Sequence, residues 1–240
     1  MVPSSTAAPR SLNDWLLFLC EAMHRISQWT KYMTRSPPPA LHSGRPDGRT
    51  RLREATRADH ERLHRQPAFA ALADATLDLP AYRALLARLY GFHATLERLL
   101  GERIDADRAD WADLRAPRAI WLWRDLRDLD VSEDELARLP LAEPGQLPDL
   151  VDEGRLVGCL YVRAGSTLGG RLMAKGLDPL LGPGGENGRR FLSGCGGADA
   201  QWRQCCAAIE RATDAGRWDA MREGAAVTFT ALESWMNGGA

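Results

Sequence analysis

The sequence predicts an all-α protein in which several helices pack as a bundle. From Thr50 onward, apolar residues recur at helical spacing, no stretch alternates with a period of two, and β-branched residues form no runs. The chain has 240 residues, of which 45% are hydrophobic and 26% charged, so it can bury one sizeable core. We therefore expect one helical domain over residues 50–240.

The preceding segment, residues 1–49, is expected to be a poorly ordered extension of this domain. Apolar residues at helical spacing predict an amphipathic segment over 12–33, and the proline-rich stretch 36–48 predicts a linker. Within 12–33, the longest uncharged run, 15–20, is far shorter than the ~20 residues of a membrane span. The basic start and cleavage site of a good signal peptide are also lacking. We expect a cytoplasmic protein without a membrane span.

Charge and cysteine content argue against several classes of function. A net charge of -1 gives no reason to expect nucleic acid as a partner. The five cysteines are odd in number and contain no CxxC pair. They are typical of reduced thiols in a cytoplasmic protein, and they predict neither a disulfide framework nor a zinc site.

Apolar spacing and helix caps define the helices of the first half of the domain. Residues 51–65 place Leu52 and Leu63 on an inward face. Asp78 and Pro80 open a long second helix, because proline is favoured in a first helical turn. The further helices predicted here are 80–100, 115–130 with Trp121 and Leu126 inward, and a short one opened by a capping box of Ser132 and Glu135.

A glycine-rich helix is predicted over residues 154–176, and it carries most of its glycines on one face. Each interior glycine destabilises a helix by roughly 0.5–1 kcal/mol relative to alanine, so such a face needs a compensating use. Either another helix crosses closely, or a planar ligand lies on the bare backbone. Adjacent glycines also allow a kink over a ligand, which favours the second alternative. The glycines are Gly154, Gly158, Gly165, Gly169 and Gly176, with Gly170 beside Gly169.

The chain ends in two further predicted helices. The stretch 182–188 is rich in glycine and breaks the helical pattern. Helices are predicted over 199–215 and 217–236. Their expected core residues include Trp202, Ile209, Phe229 and Leu232.

Histidines on the first two helices are the candidates for chemistry. His60 lies at the border of the buried stripe, where a side chain either reaches into a cavity or packs with a hydrogen bond. His64, one turn further on, is predicted to lie on the surface. His93 and Glu97 have the i, i+4 spacing of a metal pair or of a local contact. A di-metal site would need further acids, and residues 165–170 offer none.

Two segments resemble a known family. LREATRADHERLH (52–64) and LYVRAGSTLGG (160–170), in this order, resemble the biliverdin-producing haem oxygenases, above all the bacterial branch associated with bacteriophytochromes. RRFLSG (189–194) also resembles a segment of that branch. The resemblance covers about residues 50–236 and implies a haem oxygenase-like multi-helix bundle. The implied activity is the oxidative cleavage of haem to biliverdin, CO and ferrous iron.

The resemblance also implies the residues of the site. His60 would be the axial ligand of the haem iron. On the opposite face of the haem, the backbone of Gly165, Gly169 and Gly170 would form a wall without side chains. Ser166 would support a water chain that delivers protons.

Arginines after the glycine-rich break would bind the haem propionates. The orientation of the haem, and with it the meso carbon that is oxidised, would depend on these contacts. The resemblance gives this role to Arg190, with Arg189 and Lys175 as alternatives. Haem would be both cofactor and substrate, together with O2. Electrons would come from a ferredoxin, a flavodoxin or an NAD(P)H-dependent reductase, and a bacteriophytochrome could receive the biliverdin.

Two departures from the family pattern keep other functions open. Ala164 stands where close relatives are expected to carry an acid, and Cys195 where they are expected to carry tyrosine. Both changes put proton delivery in doubt, so a non-catalytic haem- or biliverdin-binding protein is an alternative. A helical di-metal oxidase or a thiaminase-like protein is a further alternative, which depends on His93 and Glu97 alone.

Overall fold

The computed structural model describes residues 47–104, 111, 114, 117–194 and 197–238, and all regular structure in these residues is helical. The all-α prediction is therefore confirmed for them, whereas the extension before residue 47 lies outside the described residues. The helices are α1 (Gly48–Ala55), α2 (Arg57–His64), α3 (Pro67–Ala73), α4 (Leu79–Arg103), α5 (Ala119–Asp128), α6 (Glu133–Ala137), α7 (Glu153–Gly176), α8 (Asp178–Leu181), α9 (Arg190–Ser193), α10 (Ala198–Asp214) and α11 (Trp218–Asn237), with a 3₁₀ turn at Pro144–Gln146.

The predicted caps are present at two helix starts. Asp78 accepts a hydrogen bond from the Ala81 N–H at 2.8 Å and so caps α4. The capping box of Ser132 and Glu135 opens α6. These starts depend on residues three positions apart, which is why sequence patterns reveal them.

The first predicted helix is divided into two, and this part of the prediction is wrong. α1 ends at Ala55 and α2 begins at Arg57, with Thr56 between them at φ -104° and ψ 8°. The Thr56 hydroxyl donates a hydrogen bond to the Leu52 carbonyl at 2.8 Å. A threonine hydroxyl that bonds back in this way bends a helix. The break fixes the direction in which α2 leaves the core.

Helix α7 lies at the centre of the bundle, and its N-terminal half crosses α11 at very short distance. A Cβ atom at Gly158 would lie 2.1 Å from the Met221 carbonyl oxygen, and one at Gly224 would lie 2.3 Å from the Arg155 carbonyl oxygen. Glycine is therefore required on both sides of the crossing. For this half of the glycine face, the helix-crossing alternative is the correct one.

Helices α2, α7 and α11 run in the same direction. Along α7 and α11, Gly154 approaches Ala220, and Gly158 approaches Ala225. α2 follows α11 in the same sense, because its later residues contact later residues of α11: His60 meets Phe229, and Arg62 forms an ion pair with Glu233 at 2.6 Å. α2 and α7 are thus held side by side by a helix that contacts both of them. Among the described helices, none has the length and apolar content needed to cross a membrane.

Candidate functional site

His60 presents a neutral imidazole in a half-buried position on α2. The edge of its ring meets the ring of Phe229, with 6.0 Å between the centroids and 87° between the planes. Burial, together with smaller contributions from the charges of His64 and Arg53, lowers the pKa of His60 to about 3. A neutral imidazole is the form that ligates metals.

His64 packs against His60, so the prediction that it lies on the surface is wrong. The two ring centroids are 4.3 Å apart, and the Nε2 atoms of the two rings are 3.1 Å apart. His64 is half-buried, and burial lowers its pKa as well. The two side chains therefore form a pair of neutral imidazoles on the inner face of α2.

The glycine face of α7 is open at Gly165 and closed further along. A Cβ atom at Gly165 would have Trp202 Cζ3 as its nearest neighbour, at 3.8 Å, which is an ordinary contact distance. At Gly170, by contrast, a Cβ atom would lie 2.8 Å from the Leu192 carbonyl oxygen. Gly169 is buried between these two positions. The open part of the face is thus confined to the middle of the helix.

A polar contact joins the two helices one turn before His60 and Gly165. The Tyr161 hydroxyl lies near the Thr56 side chain, whose interaction partly offsets the rise in the Tyr161 pKa that burial causes. His60 follows Thr56 by one turn on α2, and Gly165 follows Tyr161 by one turn on α7. Because α2 and α7 run in the same direction, the imidazole and the open backbone lie on the same side of this contact.

The hydroxyl of Ser166, next to Gly165, is held by a buried arginine. Ser166 Oγ donates to the Arg163 carbonyl at 2.8 Å and accepts from Arg118 Nη1 at 3.1 Å. Arg118 Nη1 also donates to the Arg163 carbonyl at 2.6 Å. Burial lowers the pKa of Arg118 to about 9, with a further contribution from Arg163 and an opposing one from Glu97. The Ser166 side chain is exposed, but its hydroxyl has a fixed orientation.

Glu97 is a structural residue that connects α4, α5 and α7. Its carboxylate accepts hydrogen bonds from the Arg118 N–H at 2.6 Å and the Ala119 N–H at 3.1 Å, which caps α5. It also pairs with Arg163 Nη2 at 3.0 Å. The carboxylate is therefore engaged by three donors, and α5 begins at Ala119 rather than at 115.

His93 packs among aromatic rings instead of pairing with Glu97. Its centroid lies 5.7 Å from that of Phe92 and 5.1 Å from that of Phe191. In the described part of the chain, no group of three or more His, Cys, Asp or Glu side chains could hold a metal ion. These contacts give no support to the di-metal alternative.

Replacing Glu97 with glutamine should lower the free energy of unfolding by about 2 kcal/mol, because the buried Arg163 loses its counter-charge. Urea unfolding followed by circular dichroism measures this change. Glu102→Gln is a matched control on the same helix, since Glu102 pairs with Arg98 at 2.7 Å in an exposed position. The control should change stability by less than about 0.5 kcal/mol. Equal effects of the two substitutions would contradict the structural role of Glu97.

The comparisons with known proteins identify the family and the fold. The protein-family model described as Heme oxygenase matches residues 48–237. The chain belongs to the haem oxygenase family. The crystal structure of heme oxygenase-1 from the cyanobacterium Synechocystis sp. PCC6803 in complex with heme is similar in fold, with a TM-score of 0.62 and 16% identity over 80% of this chain and 91% of that chain. No curated protein matches the sequence significantly. Family membership supports haem degradation as the general activity.

The residues of this haem oxygenase fit a haem group on two observations. His60 offers a neutral nitrogen donor, which suits haem iron. On α7, a Cβ atom at Gly165 would have one neighbour within 4 Å, Trp202 Cζ3 at 3.8 Å, so the glycine leaves its backbone accessible to close approach. A flat tetrapyrrole needs a donor on one side and a wall without side chains on the other. In this chain, His60 on α2 offers the donor, and the backbone at Gly165 on α7 offers a surface without a side chain.

The three cations expected to meet the propionates differ in environment. Arg190 forms ion pairs with Asp128, with Asp125 at 3.5 Å and with Glu186 at 3.3 Å. Arg189 is buried, donates to the Ala174 carbonyl at 2.8 Å and pairs with Asp178 at 2.5 Å. Lys175 is exposed on α7. The acids around Arg190 already compensate its charge, and this does not support the role expected for it.

Arg53 is a candidate cation near His60 that the sequence reasoning missed. Its charge acts to lower the pKa of both His60 and Tyr161. Within the described residues, no carboxylate pairs with it at 4.0 Å or less. The signal was available, because Arg53 precedes His60 by seven residues, two helical turns, in the LREATRADHERLH segment.

Proposed function

We propose that this protein is a haem oxygenase that cleaves haem to biliverdin, CO and ferrous iron with O2 and external electrons. The proposal rests on two observations, the neutral imidazole of His60 on α2 and the unobstructed backbone at Gly165 on α7. When bound, haem supplies both the iron at which O2 reacts and the tetrapyrrole that is oxidised. The protein then has to bind, orient and protect this group.

His60 is the proposed axial ligand of the haem iron. Its ring orientation is set by the edge contact with Phe229, and its low pKa keeps the ring neutral near neutral pH, so that one of its two nitrogens has a lone pair available for iron. To bind iron through Nε2, His60 has to give up its contact with His64. Its proton then resides on Nδ1.

The proposed distal wall is the backbone of Gly165, Gly169 and Gly170. At Gly165, the missing side chain lets a ligand lie within contact distance of the main chain, which confines small molecules to the space over the ring edge. Gly170 contributes indirectly, because its contact with Leu192 holds the helix in place. Selectivity for one meso carbon would follow from this positioning.

Ser166 is proposed to order the water that delivers protons. Its hydroxyl proton points to the Arg163 carbonyl, and its oxygen accepts from Arg118. The remaining lone pair of the exposed Oγ can accept a hydrogen bond from a water molecule beside Gly165. Ala164 is buried and cannot relay a proton itself, whereas Ser166 is exposed and carries a hydroxyl.

The haem propionates are proposed to contact Arg53, with Lys175 as a second cation. Arg190 is the residue to which the family resemblance gives this role. Arg53 is favoured because its charge reaches both sides of the site. Electrons are proposed to come from a ferredoxin, a flavodoxin or an NAD(P)H-dependent reductase. A bacteriophytochrome is the proposed receiver of biliverdin, on the strength of the resemblance to that branch of the family.

A single-turnover experiment tests this function. Haem-loaded protein, given ascorbate or a reductase system in air, should lose its Soret absorption and gain a biliverdin spectrum. Catalase is included because free peroxide can oxidise haem without the enzyme. CO and iron release, each near one per haem, provide independent measurements. A Soret band that persists under reducing conditions would favour the alternative of a haem- or biliverdin-binding protein.

A further inference from the structure

The His60–His64 pair has the geometry of a two-histidine chelate for a metal ion. The two residues are one turn apart on α2, and their Nε2 atoms are 3.1 Å apart. Zinc binds imidazole nitrogens at about 2.0–2.1 Å, so two ligands at angles of about 90–110° lie about 2.9–3.4 Å from each other. The observed separation therefore suits one ion bound by both rings.

An ion can replace the hydrogen that the two nitrogens share. In the structure, one Nε2–H donates to the other Nε2, so one ring carries its proton on Nε2 and the other on Nδ1. When both Nε2 atoms bind an ion, the first ring moves its proton to Nδ1. No proton is lost in this exchange, and His60 can keep its edge contact with Phe229.

We propose that the haem-free protein binds one first-row divalent cation between His60 and His64. The cation belongs to the class that favours imidazole, such as Zn²⁺, Ni²⁺, Co²⁺ or Fe²⁺. It occupies the nitrogen that is proposed to bind haem iron, so the cation and haem compete. This competition rests on the proposed function, whereas cation binding itself does not.

The surroundings of the pair make this an exchangeable site rather than a permanent one. Within the described residues, no third His, Cys, Asp or Glu completes a metal cluster around it. The neighbouring carboxylate of Asp59 is paired with Arg62 at 3.0 Å. Water would therefore fill the remaining coordination positions. A site with two protein ligands holds an ion loosely enough for haem to displace it.

Calorimetric titration of the full-length, haem-free protein with ZnCl2 tests the site, and an affinity tag with histidines must be absent. The expected result is one ion per chain, with binding at least tenfold weaker in His64→Ala and in His64→Gln, because one of two ligands is lost. His42→Ala, a control outside the described residues, should bind as the unmodified protein does. Circular dichroism shows whether each variant is folded. Equal affinity in the folded His64 variants and the unmodified protein would overturn the proposal.

A haem titration tests the competition separately. In the unmodified protein, Zn²⁺ should raise the apparent Kd for haem, and a chelator should restore it. In His64→Ala, the same Zn²⁺ concentration should have at most a small effect. Zinc binding without any haem binding would contradict the proposed function and leave the cation site intact. Simultaneous binding of zinc and haem without competition would overturn the shared-nitrogen model.

Discussion

Replacing His60 with alanine removes the histidine-ligated haem spectrum and lowers haem turnover by at least about 100-fold. The imidazole of His60 is the proposed axial donor, and no other described histidine is placed to substitute for it at the same point beside Phe229. Absorption spectra of the ferric and ferrous protein measure the loss. Added imidazole should restore a ligated spectrum, because the substitution leaves a space of that size next to Phe229.

His64→Ala is the matched comparison for this prediction. His64 touches His60 but lies one turn further along α2. Its variant should therefore keep a histidine-ligated spectrum. If His64→Ala lost the histidine-ligated spectrum and His60→Ala kept it, His64 would be the axial ligand and the assignment of His60 to this role would be wrong.

Replacing Gly158 with alanine should destabilise the protein by about 2–4 kcal/mol. The new Cβ atom would lie 2.1 Å from the Met221 carbonyl oxygen and 2.5 Å from the Ala225 nitrogen, so α7 and α11 have to separate. For a chain of this length, such a loss lowers Tm by roughly 4–16 °C. Calorimetric or circular dichroism melting of the haem-free protein measures the effect.

Gly165→Ala serves as the control, because the same substitution on the same helix meets no atom closer than 3.8 Å. It should leave the haem-free protein unchanged or stabilise it by up to roughly 1 kcal/mol, the usual gain of alanine over glycine in a helix. Gly165→Leu should weaken haem binding without unfolding the bundle. Equal destabilisation by Gly158→Ala and Gly165→Ala would show that the glycine face of α7 is packed equally tightly at both positions, which would contradict the prediction.

Local features were predictable from the sequence, and features that depend on distant partners were not. The caps at Asp78 and Ser132 were predictable because each depends on residues within one turn. The break at Thr56 was missed, since the Thr56 hydroxyl bonds to Leu52 and its position is tied to Tyr161 on another helix. A pattern of apolar residues contains no signal for such a contact.

The site residues show the same difference between local features and features that depend on distant partners. The glycine face of α7 was recognisable, but its separation into a crossing and an open part depends on Gly224 and Leu192, which belong to other elements. The half-burial of His64 is equally a product of the neighbouring helices, because a helical wheel describes α2 alone. The compensation of Arg190 by Asp128 could not be expected either, since these residues lie far apart in the chain.

Helix α7 is supported by backbone contacts on either side of Gly165, at Gly158 and at Gly170. These supports are twelve residues apart, which corresponds to about 18 Å of helix. The position of the α7 backbone at Gly165 therefore depends on contacts with Met221 and Leu192 on other elements. A displacement of about 1 Å at either contact would also move the α7 backbone near Gly165. Misplacement of reacting groups by that distance can slow a reaction about 100-fold. Reaction rate in this protein would thus respond to substitutions well outside the ligand's reach.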